Sequence, residues 1–233
     1  MSLRALPLAL VVAGMLVPLA ACTADVSATP STSGQSSPTT TVTPVAPSSD
    51  PEIVGVVVVG DSNSTGFMGT FDTGLAAGAA WAAQLDPESF AIAGAWAVDG
   101  STSAAMADGA TSISAEGADQ LIVMAGTNDI GAGIPAAETT RNLDRIAAEV
   151  GASRVAVTAI APLDPRPDDA IALNRALADF AASRGWQFID PWTDLRTPAG
   201  MWVSDYRTDG VHTTVAGYAR AGAVIADQLR PGG

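Results

Sequence analysis

Apolar and polar positions along the chain alternate between two periods. Ile53–Val59 is an apolar, largely β-branched run that stops at Gly60, the pattern of a strand buried on both faces of a parallel sheet. Phe90–Ala95, Gln120–Ala125, Val155–Ile160 and Trp186–Ile189 read as four more strands, the third stopping at Gly126 and the fourth at Pro162. Between them the period becomes helical. Gly74–Leu85 is alanine-rich and ends near Pro87. Ala136–Val150 places Leu143, Ile146, Ala147 and Val150 on one face, with Gly151 as its C-terminal stop. Asp168–Ser183 points Ile171, Leu173, Leu177 and Phe180 inward and is closed by Gly185, and a last helix spans about Thr213–Leu229. Strands alternating with helices predict an α/β domain with a mainly parallel five-stranded sheet.

The first fifty residues carry a different pattern. Arg4 precedes an apolar run, Ala5–Leu19, broken by Pro7 and Pro18 and followed by small residues. The run is shorter than the ~20 residues of a membrane span and has the order of a signal peptide. Leu19-Ala20-Ala21-Cys22 resembles the lipobox of bacterial lipoproteins, in which the cysteine is acylated and becomes the new N-terminus. Residues 1–22 are therefore expected to be a lipoprotein signal ending at Cys22; an ordinary signal with an incidental cysteine is the alternative. Cys22 is the only cysteine, so it forms no internal disulfide. Residues 23–50 are mainly Ser, Thr, Pro and Ala and cannot bury enough to offset chain entropy, which predicts a disordered tether. A flexible tether of that length reaches about 30 Å. The folded domain then occupies residues 51–233, exported and held to the outer face of the cell membrane by its lipid.

Composition narrows the partners. The chain is 48% hydrophobic and 15% charged, enough apolar residue for one full core. Its net charge is −13 and no basic residues cluster, which argues against nucleic acid and anionic head groups as partners.

Three strands end in polar turns: Gly60-Asp61-Ser62, Val98-Asp99-Gly100-Ser101 and Gly126-Thr127-Asn128-Asp129. A fourth, Asp209-Gly210-Val211-His212, precedes the last helix, and in a parallel sheet all four lie on one edge. Acyl transfer by a serine needs a base to take its proton and a third group to fix the base's tautomer. His212 is the only histidine, the side chain that titrates near neutrality. Asp209, three residues earlier across Gly210, can reach one imidazole nitrogen and leave the other for Ser62. An oxyanion needs fixed donors: Asn128 offers an amide, and Gly100 and Ser62 offer main-chain N–H groups. A glycine also lets the main chain approach a ligand closely. Each turn has an ordinary structural reading as well. Gly-Asp-Ser is common turn chemistry, Asn128-Asp129 and Thr213 or Thr214 suit helix caps, and a lone histidine is often structural. Only the ordered recurrence of all four at element boundaries favours chemistry.

GDSNS, the Gly100 loop, GTND and DGVH resemble the four motif blocks of the SGNH hydrolases, also called GDSL-type esterases and lipases. The run LNRALADF…FID is similar to the family's later helix and strand, so the resemblance spans the whole domain. It implies a three-layer, flavodoxin-like α/β/α sandwich with no metal and no cofactor. It also implies Ser62 as nucleophile and first oxyanion donor, Gly100 and Asn128 as the other donors, His212 as base and Asp209 as its orienter. Asn63 stands where the family usually has leucine.

Other sites fit less well. The Gly-x-Ser-x-Gly elbow fails at Ser64, and neither a dinucleotide fingerprint nor a P-loop occurs. One histidine makes a catalytic zinc site improbable, and Asp164, Asp168 and Asp169 match no calcium-loop spacing. Trp96, Trp192, Trp202 and Tyr206 fall near the active edge, either to stack on sugar or acyl groups or to cover the core. Short loops predict an open site for small acyl groups. The expected protein is a monomeric, membrane-anchored serine esterase acting on small-molecule, lipid or glycan esters. An acyltransferase to a cell-wall glycan using the same serine, or a catalytically silent glycan-binding lipoprotein, are the rivals.

Overall fold

The computed structural model describes residues 53–66, 80–114 and 116–229. The predicted signal, Cys22, the tether and the first part of the Gly74–Leu85 helix lie outside the described residues.

Five strands form one parallel sheet: β1 (Val54–Gly60), β2 (Phe90–Ala97), β3 (Gln120–Met124), β4 (Arg154–Thr158) and β5 (Gln187–Ile189), in the order β2-β1-β3-β4-β5. The order reverses between β1 and β3, and in open α/β sheets such a switch point leaves a crevice at the carboxyl ends of the strands. Six helices accompany it among the described residues: α1 (Ser62–Thr65), α2 (Ser103–Ala110), α3 (Thr127–Ala132), α4 (Ala136–Val150), α5 (Pro167–Arg184) and α6 (Val215–Leu229).

Every residue of β1 is buried, and its period of two splits the core. Val56 and Val58 join Ile122 and Met124 against Trp81, Tyr218, Ile225 and Leu229. Val57 and Val59 join Leu121 and Val123 against Met106, Leu143, Ile146 and Leu177. Helix α6 thus covers one face and α2, α4 and α5 the other, the three-layer sandwich that was expected. Among the described residues no helix is long and apolar enough to cross a membrane.

Helix α4 has the predicted bounds, with Gly151 left-handed at its end (φ +65°). Ala147 on α4 and Phe180 on α5 are half-buried but pack against the core as predicted, whereas Ile171 is half-buried outside that cluster; Ala170 and Ala181 complete the buried stripe of α5. Three further differences have local causes. The described end of the Gly74–Leu85 segment, Trp81–Gln84, is a 3-10 turn rather than α-helix. The last helix starts at Val215, since Thr214 stands outside it and accepts the Gly217 N–H (3.2 Å). Helix α2, SAAMADGA, was not predicted because it buries mostly small side chains and carries no long apolar stripe. Between β5 and α6 the chain holds no ladder, only isolated antiparallel bridges pairing Arg196 with Trp202 and Arg207 with Thr213.

Candidate active site

β1 ends in a turn that only glycine fits. A Cβ on Gly60 would lie 2.1 Å from Ser64 Oγ. Asp61 then caps the short helix α1 by accepting the Asn63 N–H (2.9 Å), which sets Ser62 at its first position. Ser62 Oγ lies 2.8 Å from His212 Nε2, and His212 Nδ1 lies 2.7 Å from Asp209 Oδ2. The other oxygen of Asp209 accepts the main-chain N–H groups of His212 and Val211, both at 2.8 Å. One carboxylate therefore fixes both the turn and the ring it carries, as the three-residue spacing predicts. Ser62 is 7% and His212 8% exposed, whereas the Asp209 side chain at the far end of the line is 43% exposed.

Asn128 comes from the first turn of α3, after β3, on the other side of the switch point from Ser62. It is not an N-cap; Gly126 holds that position. Its Nδ2 donates to Ser101 O (2.9 Å) and to Asp61 Oδ2 (3.3 Å). Gly100 is exposed and left-handed (φ +77°), with no heavy atom within 4 Å of a Cβ built on it. The backbone conformation favours glycine there, and the space above it is free for a ligand.

The two carboxylates beside this line have opposite environments. Asp61 is 1% exposed, and its pKa is pushed up to about 7. Burial is the main cause; the Asn63 N–H opposes it, and the carboxylates of Asp99 and Asp129 reinforce it. For Asp209, desolvation also pushes upward, but the hydrogen bonds from the His212 ring and from the His212 and Val211 main chain outweigh it and hold the pKa at about 2.

Sequence reasoning assigned no role to three supporting residues. Asp129 is fully buried and accepts Ser103 N–H (2.8 Å) and Thr139 Oγ–H (2.6 Å), joining the Asn128 turn to the start of α2 just past Gly100. Tyr218 donates from its hydroxyl to Asn63 Oδ1 (3.1 Å) behind the nucleophile turn, and burial raises its pKa. Asp61 was legible only as part of the GDSNS run. The aromatic residues are mostly core cover: Trp192 and Trp202 are buried edge to face at 5.6 Å, and Trp96 lies over Gly109. Among the described residues no group of three or more His, Cys, Asp or Glu side chains could hold a metal ion.

Residues 58–220 match the model of the GDSL-like Lipase/Acylhydrolase family. This chain is a member of the GDSL-like lipase/acylhydrolase family. It is accordingly a carboxylic ester hydrolase, and solved structures agree with its fold. The lipase/acylhydrolase from Enterococcus faecalis superimposes with a TM-score of 0.62 at 19% identity, over 76% of this chain and 95% of that one. A GDSL-like lipase from Bacteroides thetaiotaomicron gives 0.58 at 19% identity, over 74% and 86%. A catalytic mutant of an acetylxylan esterase from Geobacillus stearothermophilus gives 0.57 at 15% identity, over 76% and 94%. No curated protein matches the chain by sequence. In this GDSL-like hydrolase the GDSNS, GTND and DGVH runs all lie within the matched residues.

Proposed function

We propose that this GDSL-like hydrolase is an exported, lipid-anchored serine esterase that cleaves small acyl esters of carbohydrates or lipids through Ser62, His212 and Asp209. The observation that carries the reading is the unbroken line from Ser62 Oγ through His212 to Asp209, 2.8 and 2.7 Å long. Ser62 Oγ attacks the ester carbonyl carbon while its proton passes to His212 Nε2. The oxyanion is held by the N–H groups of Ser62 and Gly100 and by Asn128 Nδ2, which exchanges its long contact to Asp61 for the stronger charge. Collapse breaks the bond to the alcohol oxygen, which takes the proton from His212 and leaves an acyl-Ser62. Water then attacks, gives its proton to His212, and the acid departs as the proton returns to Ser62 Oγ.

The short-acyl preference is supported by an acetylxylan esterase among the similarly folded proteins. The lipid anchor rests on the Leu19–Cys22 run and the Ser/Thr/Pro segment that follows it. A fluorophosphonate probe should label the purified protein, and Ser62→Ala should abolish both labelling and turnover. Labelling that survives this substitution would overturn the nucleophile. Rates on p-nitrophenyl esters should fall with chain length; a maximum at long chains would contradict the small-acyl reading. Metabolic palmitate should label the wild type and not Cys22→Ser.

A further inference from the structure

The turn that carries Asp209 and His212 hangs between β5 and α6 without a ladder to hold it. Its firmest attachment comes from a residue distant in sequence, Asp164, in the loop after β4. Asp164 Oδ1 accepts the Trp202 N–H (2.8 Å), and Oδ2 faces Arg207 Nε in an ion pair (2.5 Å). Its own N–H donates to the carbonyl of Gly210 (2.8 Å), the residue between Asp209 and Val211. Gly210 is left-handed (φ +90°), and a Cβ on it would lie 3.2 Å from Asp164 Cβ, so the turn rests directly on this residue. The Asp164 side chain is only 6% exposed although Arg207 is half in solvent. Three attachments from one residue thus bracket the segment that aims the imidazole.

We propose that Asp164 is a positioning residue for ester cleavage, fixing the Asp209–His212 turn so that His212 Nε2 stays within reach of Ser62 Oγ. The proposal rests on the triad reading above. A buried carboxylate shared between a main-chain N–H and a guanidinium is a strong, directional tie. Loss of about an ångström in the placement of a reacting group can cost roughly 10²-fold in rate. Substrate binding does not pass through Asp164, so the loss belongs in kcat rather than KM.

The test uses the full chain, p-nitrophenyl acetate kinetics, circular dichroism for folding, and the proton resonance of the His212 Nδ1–H. That resonance is unambiguous because the chain has one histidine. Asp164→Ala should lower kcat by about 30- to 100-fold with KM within about threefold, and should broaden or erase the Nδ1 proton. Asp164→Asn keeps an oxygen for the Trp202 N–H and should recover at least about a third of the lost factor on a logarithmic scale. A folded Asp164→Ala with kcat within about threefold of wild type and an unchanged Nδ1 proton would overturn the proposal. Should Asp164→Ala not fold, Arg207→Gln, which removes one tie at an exposed side chain, decides it. A kcat loss of about three- to tenfold with a broadened proton supports positioning, and unchanged values refute it. Failure of the triad reading shows differently, as an active Ser62→Ala.

Discussion

Asp61, which caps the turn carrying Ser62, and Asp209, which holds the His212 ring, are treated in opposite ways. Asp61 is sealed beneath the nucleophile turn and carries a pKa of about 7, whereas Asp209 is half exposed and is held at about 2. The difference lies first in burial, which dominates at Asp61 and is outweighed by hydrogen bonds at the half-exposed Asp209. Asp209 receives three hydrogen bonds from the turn it closes, while Asp61 has the Asn63 N–H, a long contact from Asn128, and two carboxylates nearby. Two carboxylates with separated pKa values mark two roles. In the proposed mechanism Asp209 stays charged to balance an imidazolium, and Asp61 holds a proton up to about pH 7 beside the proposed oxyanion donors.

The largest way to break this division is on the base side. His212→Ala should reduce kcat by about 10⁴-fold or more, measured on a small ester, because no other side chain can take the Ser62 proton. Asp209→Asn should cost on the order of 10³- to 10⁴-fold by losing the tautomer control; a nearly silent substitution would make the pair a dyad. On the oxyanion side, Asn128→Ala should cost roughly 10²- to 10³-fold in kcat with little change in KM.

Asp61→Asn sharpens the contrast through stability. The folded pKa of Asp61 is raised, so between pH 4 and 7 the folded state keeps a proton that the unfolded chain has released. Its contribution to stability is therefore lost as pH rises from the unfolded to the folded pKa, by at most on the order of 4 kcal/mol. Thermal melts at pH 5 and pH 8 should show a smaller drop in Asp61→Asn than in wild type. Asp209 has the opposite sign: its contribution is present above its ordinary pKa and disappears as pH falls through about 2. Melts of Asp209→Asn should accordingly differ from wild type near neutrality and converge with it in strong acid.

Much of this arrangement was legible in the chain. An all-apolar β-branched run ending in Gly-Asp-Ser announces an interior strand buried on both faces, and α4 declares its bounds through its stripe and Gly151. The Asp209–His212 spacing foretells the contact because three residues across a glycine leave little other geometry. What sequence could not disclose depends on long-range closure. Asp129 meets Ser103 across 26 positions, and Asp164 meets Arg207 across 43. No local period carries such a pairing, and Asp164 read instead as part of a failed calcium loop. Helix α2 was missed for a related reason: its alanines and serines acquire a buried face only once the sheet is beneath them. Trp192 and Trp202 show the converse, since an aromatic near an active edge looks the same in sequence whether it greets a ligand or fills a core.

The isolated bridges between β5 and α6 have a consequence for how the enzyme fails. Ser62 and Asn128 follow β1 and β3, two strands paired on both sides within the sheet, while His212 sits in a segment stitched by single pairings. Sub-global opening draws on the least cooperative region first. Mild denaturant should therefore produce a species with native far-UV ellipticity and no activity, its amides exchanging fast from Arg196 to Thr213 and slowly along β1 and β3. If His212 is the base, such a species has lost its base while keeping its fold.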